Sequence, residues 1–444
     1  MKRFLPLLYL LLFSTTILAQ KTPPVFDAAK RPRQLSDSAL LDLVQKQTFR
    51  YFWDFAHPVS GLARERSNQS FGYGDETCAV GGTGFGIMSV IVATERKWID
   101  RDTAARFLLK MVKFLLKADS YHGAYPHWLN GATGKTIPFS RKDDGADLVE
   151  TAYLFQGLLC ARQYFDGATN VEKELRTRIG WLWNDIEWDW FTRGGQDVLY
   201  WHWSPNNGWA MNMPIRGFNE CLIVYVLAAS AEKHRVSADV YHKGWVQSLN
   251  FKNGKSYYGM ELPLGFDYGG PLFFSHYSFL GIDPRGLRDR YADYWKQNLN
   301  HTLINREHCI RNPGKFKGYG ADCWGLTASD TYSGYAAHSP TEDLGTISPT
   351  AALSAFPYTP EYSMQALRYF YDKLGDRIWS QYGFVDAFNE TKDWYANSHL
   401  AIDQGPIIVM IENYRSGLLW KLFTSCPEIK TGMKALDFSA PYLK

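Results

Sequence analysis

The chain has 444 residues, 16% of them aromatic, with 16 Trp, 6 Cys and a formal net charge of +3. So small a charge argues against nucleic acid or another polyanion as partner. The cysteines include no CxxC pair, so zinc knuckles and thioredoxin chemistry have no support.

Residues 1–19 read as a cleavable signal peptide. Lys2 and Arg3 open it, Phe4 to Phe13 is apolar apart from Pro6, and Ser14 to Ala19 is a polar-to-small exit. The run is short for a membrane span. Cleavage is expected near Ala19–Gln20, giving a periplasmic or secreted protein with a net charge of about +1. No Cys at the junction could carry a lipid anchor, and no later segment reads as a membrane span. Residues 20–35, with Pro23, Pro24 and Pro32, read as a flexible leader, and 36–444 as one domain.

Helices are expected at 38–56, 82–95, 102–118, 145–165, 171–190, 218–232, 237–248, 270–280, 288–308, 348–356, 360–374 and 405–423. They are of two kinds. Those at 102–118, 171–190, 288–308 and 360–374 are amphipathic and charged. Those at 82–95, 145–165, 218–232, 348–356 and 405–423 are apolar nearly all round. A helix apolar on every side is buried, and an amphipathic one is peripheral. The two kinds alternate, as they would in an all-α (α/α)6 toroid, a double ring of about twelve helices. No pattern suggests a sheet core, although short strands in the loops are compatible with it. Each long loop leads into a buried helix, so function is expected on the face formed by the inner helix N-termini.

The densest junction is Arg141-Lys-Asp-Asp-Gly-Ala-Asp-Leu-Val-Glu150, with four carboxylates in eight residues. Asp144 has the position of an N-cap and Asp147 that of the acidic member of a capping box. Asp143 and Glu150 are surplus to capping; they suit proton transfer or the holding of sugar hydroxyls, or simply complement the helix dipole. Glu220 opens an otherwise apolar helix for which Asn219 already supplies a cap. A carboxyl entering an apolar core has a raised pKa and suits a proton donor.

Aromatic residues interleaved with Asn and Arg over 201–216 suit pyranose binding, rings stacking on CH faces while amides and guanidinium hold hydroxyls; a loop packing its own aromatics is the alternative. Together with the other junctions where long loops enter inner helices, this makes Trp128, Trp203, Arg216, Asn219, Tyr332, His338 and Asp403 candidate substrate contacts. Gly81 to Gly86 lacks the flanking strand and Lys of a phosphate loop, which leaves close helix packing. There is no HExxH spacing and no GxSxG elbow, and no metal site or cofactor is expected.

Several segments resemble the glucoamylase-like domain family, glycoside hydrolase family 144. They are Thr48 to Asp54, Gly82 to Gly86, Arg141 to Thr151, Gly217 to Glu220, Pro263 to Pro271, Trp324 to Asp330 and Ala401 to Pro406. The resemblance runs from about Gln47 to Phe423. It implies an (α/α)6 toroid that cleaves β-1,2-glucan with inversion, with Asp143, Asp147 and Glu220 lining the cleavage site and Asp403 near it. Members of the family differ between endo cleavage and release of sophorose from chain ends. Two other readings stay open: a polysaccharide lyase on the same architecture and a non-catalytic glycan-binding protein. Oligomeric state and disulfide pairing are not legible in the sequence.

Overall fold

The computed structural model describes residues 26–68 and 72–444, so the expected signal peptide and the first part of the leader lie outside the described residues. Thirteen α-helices occur among the described residues: α1 (Asp37–Trp53), α2 (Val80–Glu95), α3 (Arg101–Leu115), α4 (Leu148–Tyr164), α5 (Asn170–Asn184), α6 (Leu222–Ser230), α7 (Tyr294–Arg311), α8 (Pro349–Leu353), α9 (Pro360–Arg368), α10 (Gly375–Ile378), α11 (Ala401–Arg415), α12 (Leu418–Ser425) and α13 (Pro427–Ala435). None is long and apolar enough to cross a membrane.

They form the expected double ring. Helix α2 is buried from Val80 to Thr94, α4 from Leu148 to Ala161, and α6 over its whole length. These helices, with α8, α11 and the coiled segment 272–280, make the inner layer. Helices α1, α3, α5, α7 and α9, with a turn at Val240–Trp245, make the outer one. In α3 the buried residues are Ala104, Ala105, Leu108, Leu109, Met111, Val112 and Leu115, one stripe at helical spacing facing inward. Each large apolar side chain of α6 contributes about 1.5–3 kcal/mol by its burial. Helix α12 packs on α4 and α11, and α13 on α6.

The glycines at 81–86 do what close helix packing requires. A Cβ on Gly84 would lie 2.1 Å from the Tyr153 carbonyl oxygen, and one on Gly157 would lie 2.2 Å from that of Gly84. Helices α2 and α4 therefore meet backbone to backbone.

Three expected helices change form. The segment 237–248 holds only a π-turn over Val240–Trp245, and 270–280 holds two short 3-10 turns, Leu272–Ser275 and Ser278–Leu280. The run 405–423 is two helices, because Gly417 takes a left-handed φ of 69° between α11 and α12. Helices α10 and α13 were not anticipated.

The strands are short and confined to the long loops. β1 (Thr77–Ala79), β2 (Trp128–Asn130) and β3 (Thr136–Ile137) form one antiparallel sheet. β4 (Ala146–Asp147) pairs with β5 (His202–Trp203), and β6 (Lys252–Tyr257) with β7 (Met260–Leu264). β8 (Ala328–Thr331) pairs with β9 (Gly334–Ala337). β10 (Trp379–Ser380) pairs with β11 (Gly383–Phe384), and β12 (Phe388–Asn389) with β13 (Trp394–Tyr395). All six cysteines are buried and free of disulfides, Cys160 and Cys221 among them as expected of small hydrophobes.

Candidate active site

The inner helix N-termini bring two groups of carboxyls to one end of the ring. The first belongs to the approach and first turn of α4. Asp147, not Asp144, is the N-cap. Its Oδ1 accepts the N–H groups of Val149 at 3.0 Å and Glu150 at 2.9 Å. The capping-box reading placed the helix start three residues early because the β4–β5 pairing keeps the chain extended through Asp147. Asp144 instead accepts a hydrogen bond from Asn206 Nδ2 at 2.8 Å in the loop.

Asp147 is fully buried and heavily bonded. Trp201 Nε1 donates to the same Oδ1 at 2.9 Å, and His127 Nδ1 lies 3.0 Å from Oδ2. Burial works against its charge, but the His127 bond, the nearby His202 and His127 and the Glu150 N–H hold it below the usual carboxylate range. His127 is the matching cation. Burial opposes its protonation, and Glu150 together with the bonded Asp147 outweighs that, raising it to about 10.

Asp143 is 4% exposed, with Oδ2 3.4 Å from His202 Nε2 and no donor to Oδ1. Burial and the charge of Asp147 push it up to about 7. Glu150 reaches across to α2, where its Oε2 accepts the Gly81 N–H at 2.6 Å; burial pushes it up to about 7 as well. Glu220 stands just ahead of α6. Its carbonyl oxygen accepts the Ser278 hydroxyl, while its Oε2 is buried with no donor. Burial, reinforced by Asp147 and Glu150, pushes it up to about 7. Asn219 Oδ1 accepts the Cys221 N–H at 2.9 Å, so it turns the chain into the helix.

The second group belongs to the approach and first turn of α11. Asp403 lies in the first turn of α11, 2% exposed, with neither oxygen receiving a donor. Burial and Asp386 hold it well above the usual range. Asp386 is itself buried, and its Oδ2 accepts the Asp330 N–H at 2.7 Å. Asp330 receives Arg66 in a two-pronged bond of 3.0 and 3.2 Å. Both groups act on Tyr277, whose hydroxyl is raised by burial and by both Asp403 and Glu220. Aromatic rings link them along one side. Phe139, 48% exposed, packs on His127 at 4.2 Å and Trp128 at 4.8 Å; Trp128 meets Tyr73 at 4.5 Å, and the Arg66 guanidinium lies 5.4 Å over Tyr73.

The candidate substrate contacts are dispersed. Trp128 lines this aromatic wall, 4% exposed. Trp203 does not join it. Strand alternation puts His202 toward Asp143 and sends Trp203 to the opposite face, against His122 and Trp190, the latter stacked on His122 at 3.8 Å. That part of 201–216 packs its own aromatics. Arg216 is exposed and makes no hydrogen bond among the described residues. Tyr332 is 42% exposed in the β8–β9 turn, beneath the Lys392 ammonium. His338 is fully buried with neither ring nitrogen bonded, and burial lowers it to about 4, so it is a neutral core group. Glu65 is the residue here that sequence reasoning did not single out; His127, Glu150, Asp386 and Tyr335 stand in the loop-to-helix junctions that it collected, without a committed role. The Tyr335 side chain is half exposed, and the crowding around its hydroxyl, with Asp403, Asp386 and Glu65 nearby, raises that hydroxyl above the usual range.

His127, Asp143 and Asp147 each bring one potential metal-ligand atom within 4.8 Å of the others. Within this set Asp147 Oδ1 accepts three N–H groups and Oδ2 faces His127 Nδ1.

A double helical ring with buried carboxyls at its inner N-termini defines an (α/α)6 toroid with a candidate active site at the end where its long loops gather. A family model described as "Putative glucoamylase" matches residues 212–427. The exo β-1,2-glucooligosaccharide sophorohydrolase (non-reducing end) of Parabacteroides distasonis is 44% identical over 424 residues, 91% of this chain. The chain spans 58% of that relative's length. The crystal structure of a protein from Bacteroides uniformis with the same description as the family model is 61% identical, with a TM-score of 0.91, covering 93% of this chain and 100% of that one. An endo-β-1,2-glucanase from Chitinophaga pinensis, solved with sophorotriose and glucose, is 56% identical with a TM-score of 0.90, covering 92% and 100%. The chain belongs to the glucoamylase-like family, glycoside hydrolase family 144.

Proposed function

We propose that the protein is an exported hydrolase that cleaves β-1,2-glucan to short oligosaccharides with inversion at the anomeric carbon. The carrying observation is that Glu220 Oε2 and both oxygens of Asp403 are buried without a donor, on two inner-helix starts that both act on the Tyr277 hydroxyl. The substrate follows from the relatives, one named for releasing sophorose units and one solved with sophorotriose.

In this reading Glu220 is the general acid. A value of about 7 keeps it protonated in mildly acidic solution, ready to protonate the leaving glycosidic oxygen. Asp403 takes the proton of the attacking water on the other face of the sugar, directly or through a substrate hydroxyl. Carboxyls on separate walls suit inversion, which needs room for water between them. Asp147 does neither: its oxygens are occupied, and it serves as the fixed anion that orients His127 and Trp201. Asp143, with an unpartnered oxygen, is suited to hold a sugar hydroxyl.

The experiment is product analysis after incubation with linkage-defined α- and β-glucans. β-1,2-Glucan should be cleaved to short products of inverted anomeric form, with starch and cellulose poor substrates. Sophorose alone would mark attack at chain ends, and a ladder of lengths would mark endo cleavage. Faster cleavage of an α-glucan would refute the reading. So would an unsaturated product, the mark of a lyase, or binding without release of reducing sugar. Export predicts a mature N-terminus near Gln20 in the periplasm or medium, and uncleaved chain in the cytoplasm would contradict it.

A further inference from the structure

We propose that Trp190, Trp203 and Trp209 form a second glucan-holding surface outside the cleavage site, on which pyranose rings stack by their CH faces; this rests on a glucan being the substrate.

The three rings pack on one another without being fully buried. Trp190 is 39% exposed, and Trp203 and Trp209 are partly exposed. Trp203 meets Trp190 edge to face at 6.2 Å, and Trp209 lies 6.3 Å from Trp190 at an angle of 31°. One side of the Trp190 ring is held in place. His122 stacks on it at 3.8 Å and 15°, and Glu187 Oε2 lies 2.8 Å from His122 Nδ1. The Glu187 N–H also donates to the His122 carbonyl oxygen at 3.0 Å. A ring fixed beforehand loses little freedom when a sugar covers it.

Packing alone would bury these rings and pair their donors. The indole N–H of Trp201 donates to Asp147, and that of Trp420 to the Phe279 carbonyl. Those of Trp190, Trp203 and Trp209 donate to no group among the described residues. An aromatic face with an available N–H at its edge suits a pyranose, the face taking CH groups and the N–H a hydroxyl. A cluster of such rings at the surface marks a binding site. Its rim suits a neutral ligand. Glu187 is matched by His122, and Arg193 donates to Asn212 Oδ1 at 2.7 Å.

The surface adjoins the cleavage site through β5. His202 points from one face of that strand to Asp143, and Trp203 from the other toward Trp190. The turn ahead of Trp209 is tied to the acid-bearing loop. Asn206 Nδ2 donates to Asp144 Oδ2 at 2.8 Å, and Asn207 Nδ2 to the Arg141 carbonyl at 3.1 Å. A long chain can therefore lie on the rings and continue toward Asp143, while a short oligosaccharide fills the cleavage site alone.

The test is kinetics on long linear β-1,2-glucan and on the shortest β-1,2-oligosaccharide the enzyme cleaves. Melting temperatures are measured alongside, for wild type, Trp190→Ala, Trp190→Tyr and Trp181→Ala. Trp181 is the control, 55% exposed on α5 beside Arg178. Trp190→Ala should raise KM for the long chain by about 3–10-fold, with kcat and the KM for the short substrate retained. Trp190→Tyr keeps a ring and should recover most of the loss, and Trp181→Ala should match wild type. A wild-type KM for the long chain in Trp190→Ala overturns the surface. So does an equal loss on both substrates, which would place the ring in the cleavage site or its support, and so does an equal rise in Trp181→Ala. Should Trp190→Ala not fold, Trp209→Ala is read in the same way. Light scattering tests the rival occupant: a wild-type dimer that Trp190→Ala splits into monomers makes the patch a contact between copies and overturns the proposal. A wild type that cleaves no β-1,2-glucan of any length overturns the substrate reading and the surface with it, a result distinct from a missing difference in KM.

Discussion

The carboxylate of Glu150, on α4, accepts the backbone N–H of Gly81, in the first turn of α2, at 2.6 Å. One bond thus ties the two most closely packed inner helices at the height of the site. A Cβ on Gly81 would lie 2.6 Å from Glu150 Oε2 and 2.9 Å from Tyr153 Cδ2. Gly81→Ala should therefore displace Glu150, destabilise the protein by about 1–3 kcal/mol and lower turnover. Gly157→Ala meets backbone rather than a mobile side-chain end, and should cost more than about 3 kcal/mol or prevent folding. Denaturant unfolding of both variants checks this, and a wild-type midpoint for Gly157→Ala would contradict the backbone contact.

Glu220→Gln keeps the shape of the acid and removes its proton. Turnover should drop by about 10²–10⁴-fold. The melting temperature near pH 6 should hold, because Oε2 has no donor to lose. A normally melting variant that cleaves at the wild-type rate would remove Glu220 from the chemistry.

Stability should depend on pH with a definite sign. Asp143, Glu150 and Glu220 are each pushed up to about 7 in the fold. A carboxyl with a raised folded value costs nothing below its unfolded value of about 4. Its penalty grows as pH rises and is complete above the folded value. Asp147 has the opposite sign: held low, it stabilises above about 4 and loses that contribution as pH falls through its folded value. The melting temperature should peak between the two and decline toward pH 8, and Glu220→Gln should flatten that decline. A melting temperature that rises steadily from pH 5 to 8 would contradict the assignment.

Asp147→Asn retains an oxygen for the Val149 and Glu150 N–H groups and loses the charge beside His127. It should cost about 1–3 kcal/mol. The His127 imidazole, raised to about 10 in the wild type, should titrate lower by NMR. An unchanged His127 titration would mean that Asp147 is not its counter-charge.

The layer of each helix was legible because burial on all sides leaves a different residue pattern from burial on one. The rule that sites gather where long loops enter buried helices found Asp143, Asp147, Glu220 and Asp403. It could not rank Trp203 against His202, since the two-residue alternation that separates them exists only once β5 is paired with β4. Nor could it find the Arg66–Asp330 bond. Its partners stand 264 residues apart and meet only because the ring closes.

Each small sheet at the mouth of the ring is completed within the loops, and of all their strands only β1 and β4 run directly into inner helices, α2 and α4. The rim behaves as a set of separate inserts seated on a rigid drum. Lengthening or trimming an insert that carries none of the site acids, such as β6–β7, redraws the outline of the cleft while the acids keep their places. Blocking one end of the cleft, and so turning a cutter of long chains into a trimmer of ends, then asks only for a change of loop length and leaves the bond-breaking groups as they are.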